Sequence, residues 1–204
     1  MDRLRAKYNS MSVETKAALW FAMCNFINKG IAMIVVPLYT RMLTTEEYGM
    51  YTVFQSWLNI FIIIATLEIS RGHYKVGITK YDEDVDNYTI SVLGLSNIVT
   101  ILFIVIYLCA IPVFNNLLEM PTYLVLSMFG YLLVYPAWEF WTIQQRFAYK
   151  YKTMVAATLA VAILSPVIGV AGIYLLNMQS DAAIFSKLLI QGVFALCIYV
   201  AFFR

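Results

Sequence analysis

The sequence has little that water would solvate. Of its 204 residues only 13% are charged, histidine occurs once, at His73, and five prolines and nine glycines are all it has for punctuating loops. A soluble domain carries about 25% charged residues, so the polar surface needed to cover a globule is missing. Lys and Arg number 14 against 12 Asp and Glu, a net charge of +2 without a long basic run, which argues against nucleic acid as a partner. The three cysteines, Cys24, Cys109 and Cys197, lie in apolar stretches with no Cys-x-x-Cys spacing. They offer neither a disulfide framework nor a metal knuckle and read as small buried apolar residues. Gly-rich phosphate loops, nucleophile elbows and His-x-x-x-His pairs are also missing, so no metal, cofactor or enzymatic activity is expected.

What is present is apolar. Hydrophobic residues make up 62% of the chain and the mean hydropathy is +0.75. About 20 apolar residues at ~1.5 Å each carry a helix across the ~30 Å hydrocarbon layer. Six stretches are long enough: 17–39, 51–70, 88–111, 122–143, 154–176 and 183–203. The predicted fold is therefore an all-α integral membrane bundle of six transmembrane helices over 17–204, behind an amphipathic segment at 1–16. Continuous runs of this length do not fit the short alternating strands of a barrel. The connectors are short; Thr44-Thr45-Glu46-Glu47 reads as a capping box before the second span. Eleven of the 14 Lys and Arg flank the bundle on one side, among them Arg71 and Arg146, while Arg41 and Lys187 fall on the other and Lys29 falls inside a span. Basic residues are retained on the cytoplasmic side, which predicts both termini cytoplasmic.

Polar groups inside the spans are the informative ones, because they tend to face a bundle interior or a wet cavity. Asn25, Asn28, Lys29 and Ala32 fall on one face of the first span; Gln55 and Asn59 belong to a polar face of the second. Tyr131, Tyr135, Trp138 and Glu139 form an aromatic and acidic stripe on the fourth, and Asn97, Thr100 and Tyr107 mark the third more weakly. Asn25, Gln55 and Asn59 either bond between helices or meet a ligand. Lys29, deep in its span, either lines a water-filled cavity or snorkels. Glu68 and Arg71 are spaced for a local interfacial ion pair, and Glu139 is a candidate proton carrier or a residue of an interfacial Trp belt. Pro136 and Pro166 lie within spans, and Ala156-x-x-x-Ala160 and Ser165-x-x-x-Gly169 suit close helix packing. Asp82, Glu83, Asp84 and Asp86 read as a solvated loop, and His73 as an interfacial basic residue.

The run Asn28-Lys29-Gly30-Ile31, then Pro37-Leu38-Tyr39-Thr40-Arg41-Met42-Leu43 and Glu47-Tyr48-Gly49-Met50-Tyr51, closely resembles the opening of bacterial polysaccharide and O-antigen flippases. These belong to the multidrug, oligosaccharidyl-lipid and polysaccharide exporter superfamily. The resemblance implies an inner-membrane transporter that moves polyprenyl-diphosphate-linked oligosaccharide from the cytoplasmic to the periplasmic leaflet by alternating access, for surface polysaccharide biosynthesis. It implies that Lys29 meets the diphosphate, with Asn25, Asn28, Gln55 and Asn59 offering hydrogen bonds to sugar and Tyr131, Tyr135 and Trp138 offering stacking faces. Glu139 and Glu68 would serve proton or ion coupling, with Arg71 and Arg146 on the cytoplasmic rim. The family continues into a second lobe, so six spans are expected to be an amino-terminal lobe that needs a second lobe or a partner subunit. The other classes in view are an integral-membrane enzyme acting on a lipid-linked substrate, using Glu139 or the Asp82 to Asp86 cluster, and a non-transporting membrane subunit.

Overall fold

A computed structural model describes residues 10–81, 84–176 and 179–203. The helices in chain order are α1 (Val13–Met42), α2 (Thr45–Thr66), α3 (His73–Lys80), α4 (Val85–Cys109), α5 (Ile111–Leu118), α6 (Thr122–Phe147), α7 (Tyr151–Leu176) and α8 (Gln179–Phe202). No strand occurs among the described residues. All but the short α3 and α5 are long and apolar enough to cross a membrane, and the chain is an all-α, multi-pass membrane bundle.

Most of the long helices begin ahead of the apolar stretches that announce them. α1 begins at Val13, where the Ser12 hydroxyl caps the backbone N–H of Thr15, so residues 13–16 belong to the first span; Arg3, Arg5 and Lys7 lie outside the described residues. α2 begins at Thr45 because the capping box forms: the Thr44 backbone N–H donates to Glu47 Oε2 at 2.7 Å and the Glu47 N–H to Thr44 Oγ1 at 3.3 Å. It stops at Thr66 rather than Ser70, since Leu67 and Glu68 both adopt left-handed backbone, φ 51° and 53°, and Ile69–Arg71 forms a 3-10 turn.

Consecutive spans run in opposite directions. At one end, called near because α1 starts there, Trp20 of α1 stacks with Tyr151 of α7 and Ser70 meets Glu139 of α6. At the far end the Tyr123 hydroxyl donates to the Asp181 carboxylate, joining α6 to α8. α8 is the central element, packed on α7, α6 and α2, whereas α1 leans chiefly on α7. Phe54, Leu58, Leu124, Met128, Leu132 and Ile184 bury their side chains between α2, α6 and α8. In lipid this packing contributes through dispersion and close fit rather than through hydrophobic transfer. Close fit depends on glycine on α7. A Cβ on Gly169 would run into the Tyr39 hydroxyl and stand 2.9 Å from Ser186 Oγ, and one on Gly172 would stand 2.9 Å from Ala182 Cβ.

Two short helices cover the ends. α3 lies at the near end with Tyr74 fully buried against Phe140; the Tyr74 and Thr89 hydroxyls share a 2.7 Å hydrogen bond, and Gln144 Nε2 donates to Thr89 at 2.8 Å. Burial pushes the Tyr74 phenol up to about 12, against the opposing pull of those hydrogen bonds. α5 lies at the far end, where the Tyr107 hydroxyl donates to Asn115 Oδ1 and Asn115 Nδ2 to Thr122. Cys24 is buried as expected, but Cys109 and Cys197 are on the outer surface of the bundle, because apolar in a span means lipid-facing as readily as core.

Candidate functional site

The polar face of α1 meets polar groups of α7 and α8 in an open cavity of about 250 Å³ between α1, α2, α7 and α8. Asn28 and Ala32 reach it from α1, Tyr51 from α2, Ser165 from α7 and Ser186, Lys187 and Gln191 from α8. Asn28 stands fourteen residues before Met42, Ser165 eleven before Leu176 and Lys187 eight after Gln179. At 1.5 Å per residue these are about 21, 16 and 12 Å from the far ends of their helices, deep within the membrane span.

Lys187 is the charged group of this cavity. Its ammonium donates to Gln55 Oε1 at 2.6 Å across the α2–α8 contact, and burial desolvates it. No carboxylate pairs with it among the described residues. Three buried polar atoms around the same space also have no hydrogen-bond partner among the described residues: Asn28 Oδ1, Gln55 Nε2 and Ser165 Oγ. A buried polar atom left unpaired costs about 1–3 kcal/mol, and a desolvated charge costs more. Such groups are retained where a ligand or water completes them. The set supplies one cation, an amide donor, an amide acceptor and a hydroxyl, which is what an anionic, hydroxyl-rich ligand requires.

Sequence reasoning identified Asn28 and Gln55 but not Lys187, which it set at the membrane boundary because the last span was started at 183. With α8 beginning at Gln179, Lys187 lies two turns inside. The Lys187 and Gln191 pair at i, i+4 in an otherwise apolar helix was the available signal. Lys29 and Asn25 are exposed and do not line the cavity. One residue turns a helix by about 100°, so with Asn28 facing α7 the flank bearing Asn25 and Lys29 turns out of the bundle. Asn59 is likewise exposed.

The aromatic stripe of α6 is packing, not cavity wall. Tyr131 is buried against Tyr135, with ring centroids 5.2 Å apart, and Trp138 meets Trp141 and the edge of Phe194 on α8. Aromatic residues at helical spacing here fill the α6–α8 seam. On α4, Asn97 Nδ2 donates to the Tyr199 hydroxyl at 2.7 Å while Asn97 Oδ1 is buried without a partner among the described residues, and Thr100 donates to the Ser96 carbonyl.

A second hollow, about 550 Å³, lies at the near end between Ser70, Lys75, Glu139, Thr142 and Arg146. Ser70 Oγ donates to Glu139 Oε1 at 2.7 Å, and the Arg146 guanidinium lies 5.8 Å from the Phe21 ring centre. The structure thus brings Glu139 and Arg146 together, whereas Glu68 occupies the turn after α2 and the side chain of Arg71 lies outside what is described. Asp82 and Glu83 also lie outside the described residues. Asp84 accepts from Asn87 at 2.8 Å, and no group of three His, Cys, Asp or Glu suited to a metal occurs among the described residues.

A family model described as "Polysaccharide biosynthesis protein" matches residues 15–204. No curated protein and no solved structure matches the chain.

Proposed function

Since the chain belongs to the polysaccharide biosynthesis protein family, we propose that it is a flippase lobe. It carries polyprenyl-diphosphate-linked oligosaccharide from the cytoplasmic to the periplasmic leaflet of a bacterial inner membrane, with both termini cytoplasmic and a second lobe or partner subunit opposite. It acts as a transporter rather than an enzyme. The observation that supports this reading is the cavity deep in the span where a desolvated ammonium lacks a carboxylate and three buried polar atoms lack partners.

Two phosphates cannot enter hydrocarbon uncompensated, and a cation placed there beforehand lowers the barrier to their passage. Lys187 meets the diphosphate in this scheme, while Asn28, Gln55, Ser165 and Gln191 exchange hydrogen bonds with sugar hydroxyls. Lys29, on the outward flank of α1, serves as a further cation toward the opposite lobe. Glu139, hydrogen-bonded to Ser70 beside Arg146, is the coupling carboxyl at the near end. Alternating access needs one bundle to rock against another around such a site.

The test is export in cells that depend on this protein. Lys187→Ala should abolish surface polysaccharide and trap lipid-linked precursor in the inner leaflet, with membrane abundance unchanged, while Lys187→Arg retains part of the flux. Unimpaired export by Lys187→Ala overturns the proposal.

A further inference from the structure

The near-end hollow of about 550 Å³ holds cations without anionic partners. Lys75 reaches it from α3 and Arg146 from the last turn of α6, and neither stands within ion-pair distance of a carboxylate among the described residues. The Arg146 guanidinium lies 5.8 Å from the Phe21 ring centre and donates to no described oxygen. The hydroxyls of the hollow are committed as donors, Ser70 to Glu139 Oε1 at 2.7 Å and Thr142 to the Glu139 carbonyl at 2.8 Å. The two cations are therefore its donors to any oxygen-rich ligand. Lys75 is held in place from behind: Tyr74, its neighbour on α3, is fully buried and shares a hydrogen bond with Thr89, so the docking of α3 sets Lys75 on this rim. Among the lining residues two are cationic and Glu139 alone is anionic, a formal charge of +1.

We infer that this hollow binds a phosphodiester monoanion, and that its source is the headgroup of an anionic phospholipid resident in the near leaflet. Depth and charge carry the assignment. α6 has 26 residues and is about 39 Å long against ~30 Å of hydrocarbon, so its last turn stands in the headgroup layer, and Arg146 is one residue from its end. Phospholipid phosphates lie at that level, and basic pockets between helices at a membrane face suit anionic headgroups. A phosphodiester carries a single negative charge, which the excess of one positive charge balances; a free phosphate or a diphosphate brings more and would meet Glu139 uncompensated. Ile143 and Phe147 line the same hollow and give the glycerol end of such a lipid an apolar wall. A phosphate bridging Lys75 and Arg146 would tie α3 to α6 across the left-handed turn at Leu67 and Glu68, so the bound lipid would brace the near end. The inference stands apart from the transport reading, since it holds whatever the chain carries.

The test is lipid retention by the full-length protein in detergent, read by native mass spectrometry with phosphatidylglycerol and phosphatidylcholine of identical acyl chains. The wild type should retain phosphatidylglycerol about tenfold or more in preference to phosphatidylcholine, and melt higher in its presence. Lys75→Gln with Arg146→Gln should abolish both effects. Lys150→Gln with Lys152→Gln removes the same charge from the near end outside this hollow and should leave them intact. Equal loss in the two double variants, or a wild type without preference, overturns the site in favour of a diffuse surface field. Inorganic phosphate or a polyprenyl diphosphate that displaces phosphatidylglycerol at comparable concentration overturns the resident lipid as its source. Should the Lys75 and Arg146 variant fail to fold, phosphatidylglycerol with a diazirine on its headgroup labels the wild type. Adducts on α3 and the last turn of α6 support the site, and adducts spread over other helices overturn it.

Discussion

Exchanging Lys187 for Met together with Gln55 for Leu should make the bundle more stable and leave it unable to transport. The ammonium of Lys187 is desolvated and its partner is a neutral amide oxygen at 2.6 Å. Withdrawing an ion from water costs several kcal/mol even after the protein relaxes, and a hydrogen bond to a charged group returns only about 1.5–3 kcal/mol. Replacing buried charge by apolar side chains of similar volume has a net stabilising effect of about 1–4 kcal/mol, which for a chain of this size raises the melting temperature by something on the order of 5 °C. Lys187→Met alone should gain less, because it leaves both amide atoms of Gln55 without partners, and each such atom costs about 1–3 kcal/mol. The measurement is loss of the monodisperse species on heating in detergent, for wild type, single and double variants. The order expected is double above single above wild type in melting temperature, with export absent in both variants. A double variant that melts below wild type would mean the cation is a structural brace, and the reasoning from desolvation would be refuted.

Gly169→Val should lower the melting temperature sharply, because a side chain there meets the Tyr39 hydroxyl and Ser186; overpacking of this kind costs about 1–3 kcal/mol, readable in the same heating assay. Thr44→Ala removes one half of the capping box ahead of α2 and should cost about 0.5–2 kcal/mol, while Thr44→Ser should cost little. Tyr74 holds its proton more tightly folded than unfolded. Its contribution is therefore complete below pH 10 and is lost as pH climbs from 10 through about 12; Tyr74→Phe should erase that alkaline dependence of α3 docking, followed by proteolysis of the near-end connector.

Length and apolarity alone made the six spans legible, since nothing but a helix satisfies its own backbone through so long an apolar run. The Thr44 to Glu47 box was legible because its chemistry is local. α3 and α5 were not: each is eight residues long, and their docking depends on Tyr74 meeting Thr89 and Asn115 meeting Tyr107, contacts no local pattern displays. The site was half legible. Asn28 and Gln55 could be named from polarity, but rotation about the helix axis decides whether Asn28 or Lys29 faces inward, and the neighbours decide rotation. Tyr131 and Trp138 show the same limit, since an aromatic stripe reads alike whether it lines a cavity or fills a seam.

The placement of α1 has a consequence for how the chain is made. It leaves the ribosome well ahead of the helix it chiefly leans on, α7, which starts about 110 residues after α1 ends. At roughly 5–20 residues per second, α1 waits some 5–20 s for its mate. During that interval Asn25, Asn28 and Lys29 sit in a span that still lacks its chief packing partner, and their polarity has to be borne without it.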